Sequence, residues 1–548
     1  MRGCYLRLTL ESIVRPRTMT ADGARALALA ALGLFAMAVV GAAPGSPYQP
    51  MLTPAGQPHG LLTTLALQLG LDRIPGNPVV VVGVLASLLA VGGFLLLLRA
   101  AFHGRIGVGP VAALVVWAHA LLLGLPLLFS RDVYSYAFYG RIAGVYGGNP
   151  YVQTPLDHPT DALWKFVGPI WVNTPAVYGP VWSSLSGWLS TGLRARPEAH
   201  VEAYRMIALL ASLATCAVIV WTVRRLWPER TAFALVAFGV NPVVVFHSVA
   251  SGHNDMLVAL AIAAAFALVV SHKAMPAVAL LTIGALVKAT AGLPLLLLLV
   301  WCIARRPPED RWRVAITHVG LVAAITAVFA MPFVQLQDPT LGMLELAGHE
   351  GWFAPAAVGE RLVDLVTFGT LGWAVRIGAA LILGVAIWRL TRAVWRRTTG
   401  TDVAGAPRMS PREQAATWGW ALVLLMLLGP VLMPWYVVWA LPLAWVLPKA
   451  PRTALLAVSS LLGVTLWFAE AARYPGAFSL NVFVGNWFVV PVIVWLLIVL
   501  LRDLRSRIEG GALFEDEIGI EEPPPPLPEE AAGEQRVSEA TGEGARQG

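Results

Sequence analysis

Apolar segments about 20 residues long recur along this chain, and one of them, residues 79–98, contains no charged side chain. A helix of that length crosses the roughly 30 Å hydrocarbon layer of a membrane. The 548 residues are 57% hydrophobic and 13% charged, whereas soluble domains are about half apolar and one quarter charged. This composition excludes a soluble globular protein and a disordered chain, and it predicts an all-α, polytopic membrane protein.

Thirteen apolar segments occur, and we predict that twelve of them span the membrane as helices. The segments lie near residues 24–43, 78–98, 107–129, 204–223, 231–249, 255–271, 275–304, 313–333, 371–388, 416–434, 436–447, 453–469 and 486–501. The first segment has features of a cleaved signal peptide and of an uncleaved helix. We predict an uncleaved helix, because further membrane segments follow it, and Met19 is an alternative start of the chain.

Basic residues in short loops orient these segments, because cytoplasmic loops carry an excess of lysine and arginine. With a cytoplasmic N-terminus, the basic loops all fall on the cytoplasmic side: 99–105, 224–230, 272–273, 305–313, 389–408, 449–452 and 502–507. Residues 275–304 have basic residues at both ends, so this segment must enter and leave on that side. Two helices of about 14 residues are too short to span a membrane. We therefore predict a re-entrant helical hairpin with Lys288 at its turn, and both chain termini in the cytoplasm.

Three regions follow from this topology: a cytoplasmic N-terminal segment (1–23), a membrane domain (24–508) and a cytoplasmic tail (509–548). The tail contains eleven acidic and two basic residues and a run of prolines, which predicts disorder. The formal charge of +7 thus combines −9 in the tail with +16 in residues 1–508. Residues 130–203 form a loop too long for a simple connector, and we place it on the outer face with interfacial helices.

Several classes of function are excluded by missing motifs. Cys4, Cys216 and Cys302 are too few and too scattered for a disulfide framework or a zinc site. The sequence has no phosphate loop, no dinucleotide-binding GxGxxG and no HExxH. It also has no nucleic-acid-binding motif, and its basic residues flank membrane segments. We expect no cofactor, no metal and no nucleic-acid partner, whereas membrane lipids are expected partners; the oligomeric state stays open.

Residues 130–141 combine ionisable and phenolic side chains at the predicted outer end of the third helix. Arg131 and Asp132 are followed by Tyr134 and Tyr136, which places a guanidinium, a carboxylate and phenols at one water–lipid boundary. A carboxylate there can act as a general base if its surroundings set a suitable pKa. The alternative is a structural Arg–Asp pair within an aromatic belt.

Two other stretches of the same loop are rich in residues that stack on sugars and hydrogen-bond to them. Asn149 and Tyr151 belong to Gly-Gly-Asn-Pro-Tyr, and Tyr178 belongs to Asn-Thr-Pro-Ala-Val-Tyr-Gly-Pro-Val-Trp. The alternative is that both are ordered turns in which glycine and proline shape the backbone.

Ionisable residues also occur at two places beside apolar segments. His253, Asn254 and Asp255 form a tight turn that the topology places on the same side as Asp132, although Asp255 can also be explained as a helix N-cap. Lys288 lies well inside an apolar run, where an ammonium group costs several kcal/mol unless an anion compensates it. A lipid phosphate would do so, and snorkelling to the interface is the alternative.

Together these motifs resemble the polyprenol-phosphate-mannose-dependent α-1,6-mannosyltransferases of the GT-C superfamily. The resemblance covers about residues 24–505. The motifs that carry it are Arg131-Asp132-Val133-Tyr134-Ser135-Tyr136, Gly148-Asn149-Pro150-Tyr151, Ala176-Val177-Tyr178-Gly179-Pro180, Gly252-His253-Asn254-Asp255, Leu286-Val287-Lys288-Ala289-Thr290, and Pro434-Trp435-Tyr436 with Trp439, Leu441 and Pro442. It implies a GT-C membrane domain, a lipid-linked sugar donor at the outer face, inversion at the anomeric carbon and elongation of a lipid-anchored mannan such as lipomannan.

The resemblance also implies roles for individual residues. Asp132 is expected to be the general base, although Arg131 stands where many relatives of the wider superfamily carry a second acid. The residues expected to bind the donor phosphate are Lys288, Arg131, Arg141 and His253. Those expected to bind the sugar or the acceptor are Tyr134, Tyr136, Asn149, Tyr151, Tyr178, Asn254, Asp255, Trp435 and Tyr436. No metal is expected, because the leaving group is already a phosphate anion.

Three rival hypotheses remain open. A transporter or flippase of a polyprenyl-linked sugar is disfavoured, because the two halves of the chain lack matching interrupted helices. A GT-C enzyme that uses another lipid-linked sugar stays possible. A non-catalytic scaffold would leave Asp132 and Lys288 unexplained. The sequence thus predicts a multi-pass glycosyltransferase of the cell (inner) membrane, with a polyprenyl-phosphate-sugar donor, a lipid-linked glycan acceptor and its active site on the outer face.

Overall fold

A computed structural model gives the structure of the protein and describes residues 19–50, 60–74, 76–334, 354–400, 409–465 and 474–510. Within these ranges all regular secondary structure is helical and no strand occurs, which confirms the predicted fold class. The α-helices are α1 (Ala21–Ala42), α2 (Leu61–Gln68), α3 (Asn77–Phe102), α4 (Val108–Leu121), α5 (Asp132–Gly144), α6 (Pro180–Leu193), α7 (Pro197–Leu226), α8 (Thr231–Gly239), α9 (Asp255–Val270), α10 (Ala274–Val287), α11 (Gly292–Ala304), α12 (Arg311–Ala330), α13 (Pro355–Thr367), α14 (Trp373–Thr399), α15 (Pro411–Leu428), α16 (Lys449–Thr465), α17 (Pro475–Val484) and α18 (Val490–Gly510).

Fewer helices are long enough to span a membrane than the twelve predicted. By length and composition, the described ranges contain six such helices, or seven if a pair bent by 46° at residues 239–243 counts as one span. Other predicted spans are shorter helices, including α4 and α9. The run at 436–447 is different again, because it forms buried 3-10 turns in place of a spanning helix. Apolar composition predicts burial, but it does not distinguish lipid from protein as the surroundings.

The hairpin predicted at residues 275–304 is present as a pair of short helices. α10 ends at Val287, Lys288 is extended with φ −154° and ψ 129°, and α11 begins at Gly292. The far ends of α10 and α11 line the same cavity, where Ala274 and Met275 lie with Trp301 and Arg305. The chain therefore reverses direction at Lys288, so that this residue lies at the tip of the hairpin.

Buried aromatic side chains hold α5 against α6 and α7. The ring of Tyr136 in α5 lies 5.1 Å from that of Trp182 in α6 and 5.5 Å from that of Tyr204 in α7, both edge-on. Each such pair contributes about 0.5–1.5 kcal/mol beyond the burial of its surface. This packing fixes the N-terminal end of α5, where Asp132 lies.

Some predictions fall on residues outside the described ranges. They concern most of the N-terminal segment 1–23, nearly all of the tail 509–548, and parts of the loops 334–370 and 470–485. The domain boundaries and the sidedness of the termini stay predictions.

Candidate active site

Asp132 is the first residue of α5, and the backbone before it is shaped to turn into the helix. Phe129 adopts φ 60°, a left-handed conformation that is rare for a bulky side chain. The Ser130 hydroxyl accepts a hydrogen bond from the Asp132 N–H at 3.1 Å and donates to Asp132 Oδ1 at 3.0 Å. A negative charge is favoured at this end of a helix by the helix dipole. The Asp132 carboxylate is therefore held in one orientation by its own segment.

Two side chains from other segments lie beside the second carboxylate oxygen. His253 Nδ1 lies 3.5 Å from Asp132 Oδ2 and 3.3 Å from the Tyr136 hydroxyl. The Tyr178 hydroxyl donates to Asp132 Oδ2 at 3.5 Å. Burial raises the pKa of Asp132 to about 6, against the lowering effects of the Ser130 hydrogen bond and the Lys288 charge. A carboxylate with this pKa is mostly ionised at neutral pH and accepts a proton readily, as a general base must.

His253 follows Gly252, whose backbone conformation favours glycine. Gly252 has φ +68°, and a Cβ on it would lie 2.8 Å from the Val133 side chain. The turn follows a π-helix, Val243–Ala250, a rare element that often marks functional sites. The His253 ring stacks on Trp435 with centroids 3.8 Å apart. Burial, with a contribution from the Lys288 charge, lowers the pKa of His253 well below its usual value, so this side chain acts as a neutral hydrogen-bonding group and does not supply a positive charge.

Lys288, at the tip of the hairpin, forms a buried ion pair with Asp255, the first residue of α9. Lys288 Nζ donates to Asp255 Oδ1 at 2.8 Å, and Trp439 Nε1 donates to the same oxygen at 2.6 Å. The ammonium group also lies 4.5 Å from the ring centroid of Tyr436 and 5.2 Å from that of Trp439. The charge of Lys288 is thus compensated by a carboxylate and by aromatic faces. Snorkelling is not observed, because Lys288 is only 8% exposed.

Gly179 joins the long loop to the hairpin tip. Its N–H donates to the Val287 carbonyl at 3.0 Å, and a Cβ at this position would lie 2.0 Å from the Leu286 carbonyl oxygen. Only glycine allows so close an approach of two backbones. This contact places the neighbouring Tyr178 beside Asp132.

The site thus brings together five segments that are far apart in sequence. They contribute Asp132 and Tyr136, Tyr178, His253 to Asp255, Lys288, and Trp435 to Trp439. Several buried polar atoms here have no partner among the described residues: both side-chain polar atoms of Asn254, Asp255 Oδ2 and His253 Nε2. Unpaired buried polar atoms are costly, and hydroxyl groups of a bound sugar would satisfy them. Asp132 is 17% exposed at its side chain and Asp255 is 0% exposed, so Asp132 is the more accessible of these two carboxylates.

Several residues predicted for the site lie elsewhere. Arg141 is 2.6 Å from Asp161 in a buried ion pair, so its charge is already compensated. Tyr134 packs on Phe166.

Two further predicted residues make structural contacts in the long loop. The Asn149 amide donates to the Phe333 carbonyl and accepts from the Tyr151 N–H, and the Tyr151 hydroxyl donates to the Tyr178 carbonyl. Arg131 is partly buried next to Asp132.

Three residues that shape the site received no site role from sequence reasoning: Ser130, Gly179 and Trp439. Trp439 follows Trp435 by four residues, the separation of one helical turn, and this spacing was the available signal. Across the described ranges, no group of three or more His, Cys, Asp and Glu side chains is placed to hold a metal ion.

A carboxylate, hydrogen-bonding groups and aromatic side chains that meet in one cluster of a polytopic helical protein provide the groups that a membrane-integral glycosyltransferase needs. Residues 27–305 match the model of a family described as alpha-(1->6)-mannopyranosyltransferase, N-terminal domain. The chain belongs to this family.

Proteins with related names are similar to most of the chain. Alpha-(1->6)-mannopyranosyltransferase A of Mycobacterium tuberculosis is 27% identical over 393 residues, which cover 69% of this chain and 72% of the relative. A probable alpha-(1->6)-mannopyranosyltransferase of Mycolicibacterium smegmatis is 29% identical, with 64% and 67% covered. The A-type protein of Corynebacterium glutamicum is 26% identical, with 58% and 70% covered. No solved structure matches the chain significantly.

Proposed function

We propose that this protein transfers mannose from polyprenyl-phosphate-mannose to a lipid-anchored mannan at the outer face of the cell membrane, and that it forms α-1,6 linkages. The names of its relatives support the sugar and the linkage. The observation that carries the mechanism is the Asp132 carboxylate, partly exposed, oriented by Ser130 and with a pKa raised by burial to about 6.

In the proposed reaction, a hydroxyl oxygen of the acceptor attacks the anomeric carbon of the donor sugar. The new C–O bond forms as the bond to the phosphate oxygen breaks, so the configuration inverts. Asp132 accepts the hydroxyl proton, and polyprenyl phosphate leaves with the bonding electron pair. A positioned base of this kind accelerates a reaction by about 10²–10⁴-fold.

The leaving phosphate needs hydrogen-bond donors and positive charge. Lys288 has three N–H donors, of which Asp255 takes one, and we assign the others to the phosphate together with Arg131. His253 contributes hydrogen bonds as a neutral ring. Arg141 is left out of this role, because its partners Asp161 and Tyr146 do not belong to the five segments of the site.

The sugar and the acceptor are proposed to lie against the aromatic and amide groups of the same cluster. Trp435 and Tyr436 are partly exposed. His253 stacks on Trp435 and Trp439 stacks on Tyr436, so the sugar is assigned to the parts of these two rings that stay exposed. Among the described residues, neither side-chain polar atom of Asn254 has a hydrogen-bond partner. Tyr136 is hydrogen-bonded to His253, and Tyr178 is hydrogen-bonded to Asp132. We assign these two tyrosines the role of positioning the histidine and the carboxylate.

The test is transfer of labelled mannose by purified protein in liposomes, from polyprenyl-phosphate-mannose to a short α-1,6-mannoside, with analysis of the product linkage. We expect Asp132→Asn to lower the rate by at least 10²-fold with the melting temperature unchanged. Asp310→Asn is the matched control, because it removes a half-exposed carboxylate from another loop. Wild-type turnover by Asp132→Asn would remove the assigned base. Product formed only from another lipid-linked sugar would change the donor, and movement of the donor across the membrane without product would indicate a flippase.

A further inference from the structure

A cavity lined by basic and apolar residues lies at the end of the hairpin opposite Lys288. Its volume is about 580 Å³, and it is formed by the C-terminal end of α9, the N-terminal end of α10, the C-terminal end of α11 and the first turns of α12. α9 and α10 contain 16 and 14 residues, so this cavity is separated from the candidate active site by roughly 20 Å of helix. It is therefore a separate site.

Three permanent cations line this cavity, and no acidic side chain does. Lys273, Arg305 and Arg306 contribute the positive charge, with His272 and His318 beside them, while the lining residues, all within the described ranges, include no Asp or Glu. Like charges concentrated around one cavity repel one another unless an anion is bound.

Two buried side chains at the cavity have polar atoms without a protein partner. Trp301 is 3% exposed and its Nε1–H has no acceptor, and His318 is 8% exposed with Nε2 unpaired. His318 Nδ1 is already within 2.8 Å of the Val314 carbonyl. The N-terminal end of α10 adds to this, because the helix begins at Ala274 and Met275 and the first backbone N–H groups of a helix are free to bind anions. The cavity is thus lined by cations together with polar groups that have no hydrogen-bond partner among the described residues.

The rest of the lining is apolar. Val269, Met275 and Cys302 lie beside the cations, and the Arg305 guanidinium lies 4.4 Å from the Trp301 ring centroid. A free inorganic anion gains nothing from contact with apolar side chains, whereas a lipid can bury its glycerol and upper acyl carbons against them. The volume is within the range of ligand pockets.

We propose that this cavity binds the phosphate headgroup of an anionic glycerophospholipid. The bound lipid bridges α9, both arms of the hairpin and α12, and so stabilises the hairpin that carries Lys288 at its other end. The proposal does not depend on which sugar the protein transfers.

The test uses the purified full chain, delipidated in detergent, and measures binding by native mass spectrometry together with the shift in melting temperature. The probes are phosphatidylglycerol, phosphatidylcholine and inorganic phosphate. We expect phosphatidylglycerol to bind at least tenfold more tightly than phosphatidylcholine and to raise the melting temperature. Arg306→Gln combined with Trp301→Phe should weaken phosphatidylglycerol binding at least tenfold, since one charge and one N–H are lost while a ring remains in place.

Arg313→Gln is the matched control. It removes an exposed positive charge from the first turn of α12, and Arg313 does not line the cavity. Unchanged binding in Arg313→Gln supports the site. Equal binding of the two lipids, or equal losses in the double variant and in Arg313→Gln, would overturn the proposal. Binding of inorganic phosphate as tight as that of phosphatidylglycerol would make this a free-anion site and overturn the assignment to a lipid. If the double variant fails to fold, Lys273→Gln at the N-cap of α10 replaces it. Its phosphatidylglycerol binding is then compared with that of Arg313→Gln.

Discussion

Replacement of Gly179 by alanine tests the contact between the long loop and the hairpin tip. The added Cβ would lie 2.0 Å from the Leu286 carbonyl oxygen, whereas ordinary contacts begin at 3.4 Å. The two backbones must therefore separate by about 1.4 Å, and overpacking of this kind costs about 1–3 kcal/mol.

The consequence for activity follows from the neighbour of Gly179. Tyr178 donates to the Asp132 carboxylate, so it moves when the loop moves. A misplacement on the order of 1 Å around a reacting group costs roughly 10²-fold in rate. We expect Gly179→Ala to lower mannosyl transfer by about 10²-fold in the liposome assay and to lower the melting temperature.

Gly292→Ala is the matched control, because Gly292 begins α11 in the same hairpin with helical φ −63°, and no atom lies within 4 Å of an added Cβ. This variant should keep wild-type activity, with equal or higher stability. Activity of Gly179→Ala within twofold of wild type would refute the reasoning, as would an equal loss in both variants.

Two further predictions concern the charged groups of the site. Because the base works only when ionised and burial raises the pKa of Asp132 to about 6, the rate of transfer should fall about tenfold per pH unit below pH 6 and level off above it; a pH–rate profile that stays flat between pH 5 and 7 would contradict this. Lys288→Met leaves the Asp255 carboxylate buried without its ion-pair partner, which should destabilise the protein by about 3–5 kcal/mol. Adding Asp255→Asn should restore much of the loss in thermal unfolding, and equal melting temperatures of the single and double variants would count against the ion pair.

Local sequence patterns predicted the hairpin and much of the candidate site. Basic residues at both ends of an apolar run forced the chain to reverse, and the structure has that reversal at Lys288. Asp132, His253 and Asp255 stood out because ionisable groups beside apolar segments are costly and therefore mark sites.

Long-range pairing could not be predicted in the same way. Arg141 and Asp161 are 20 residues apart, with turns between them, and nothing in the local pattern identifies them as partners. The sequence analysis assigned Lys288 to a lipid phosphate, and Asp255 to the sugar or the acceptor or to a helix cap. Nothing in the sequence indicated that these two side chains pair with each other. The apolar run at 436–447 was interpreted as a membrane span, because hydrophobicity alone is the same for a buried 3-10 turn and a lipid-facing helix.

The Lys288–Asp255–Trp439 contact has a consequence for how the protein is synthesised. Lys288 is made 33 residues after Asp255, and Trp439 184 residues after it. At about 5–20 residues per second, the nascent chain holds Asp255 without its cation for roughly 2–7 s, and without the indole donor for roughly 9–37 s. About four fifths of the chain is therefore synthesised before Trp439, the last hydrogen-bond donor to the Asp255 carboxylate, is present. A truncated chain that ends between Lys288 and Trp439 contains both members of the ion pair but lacks this donor.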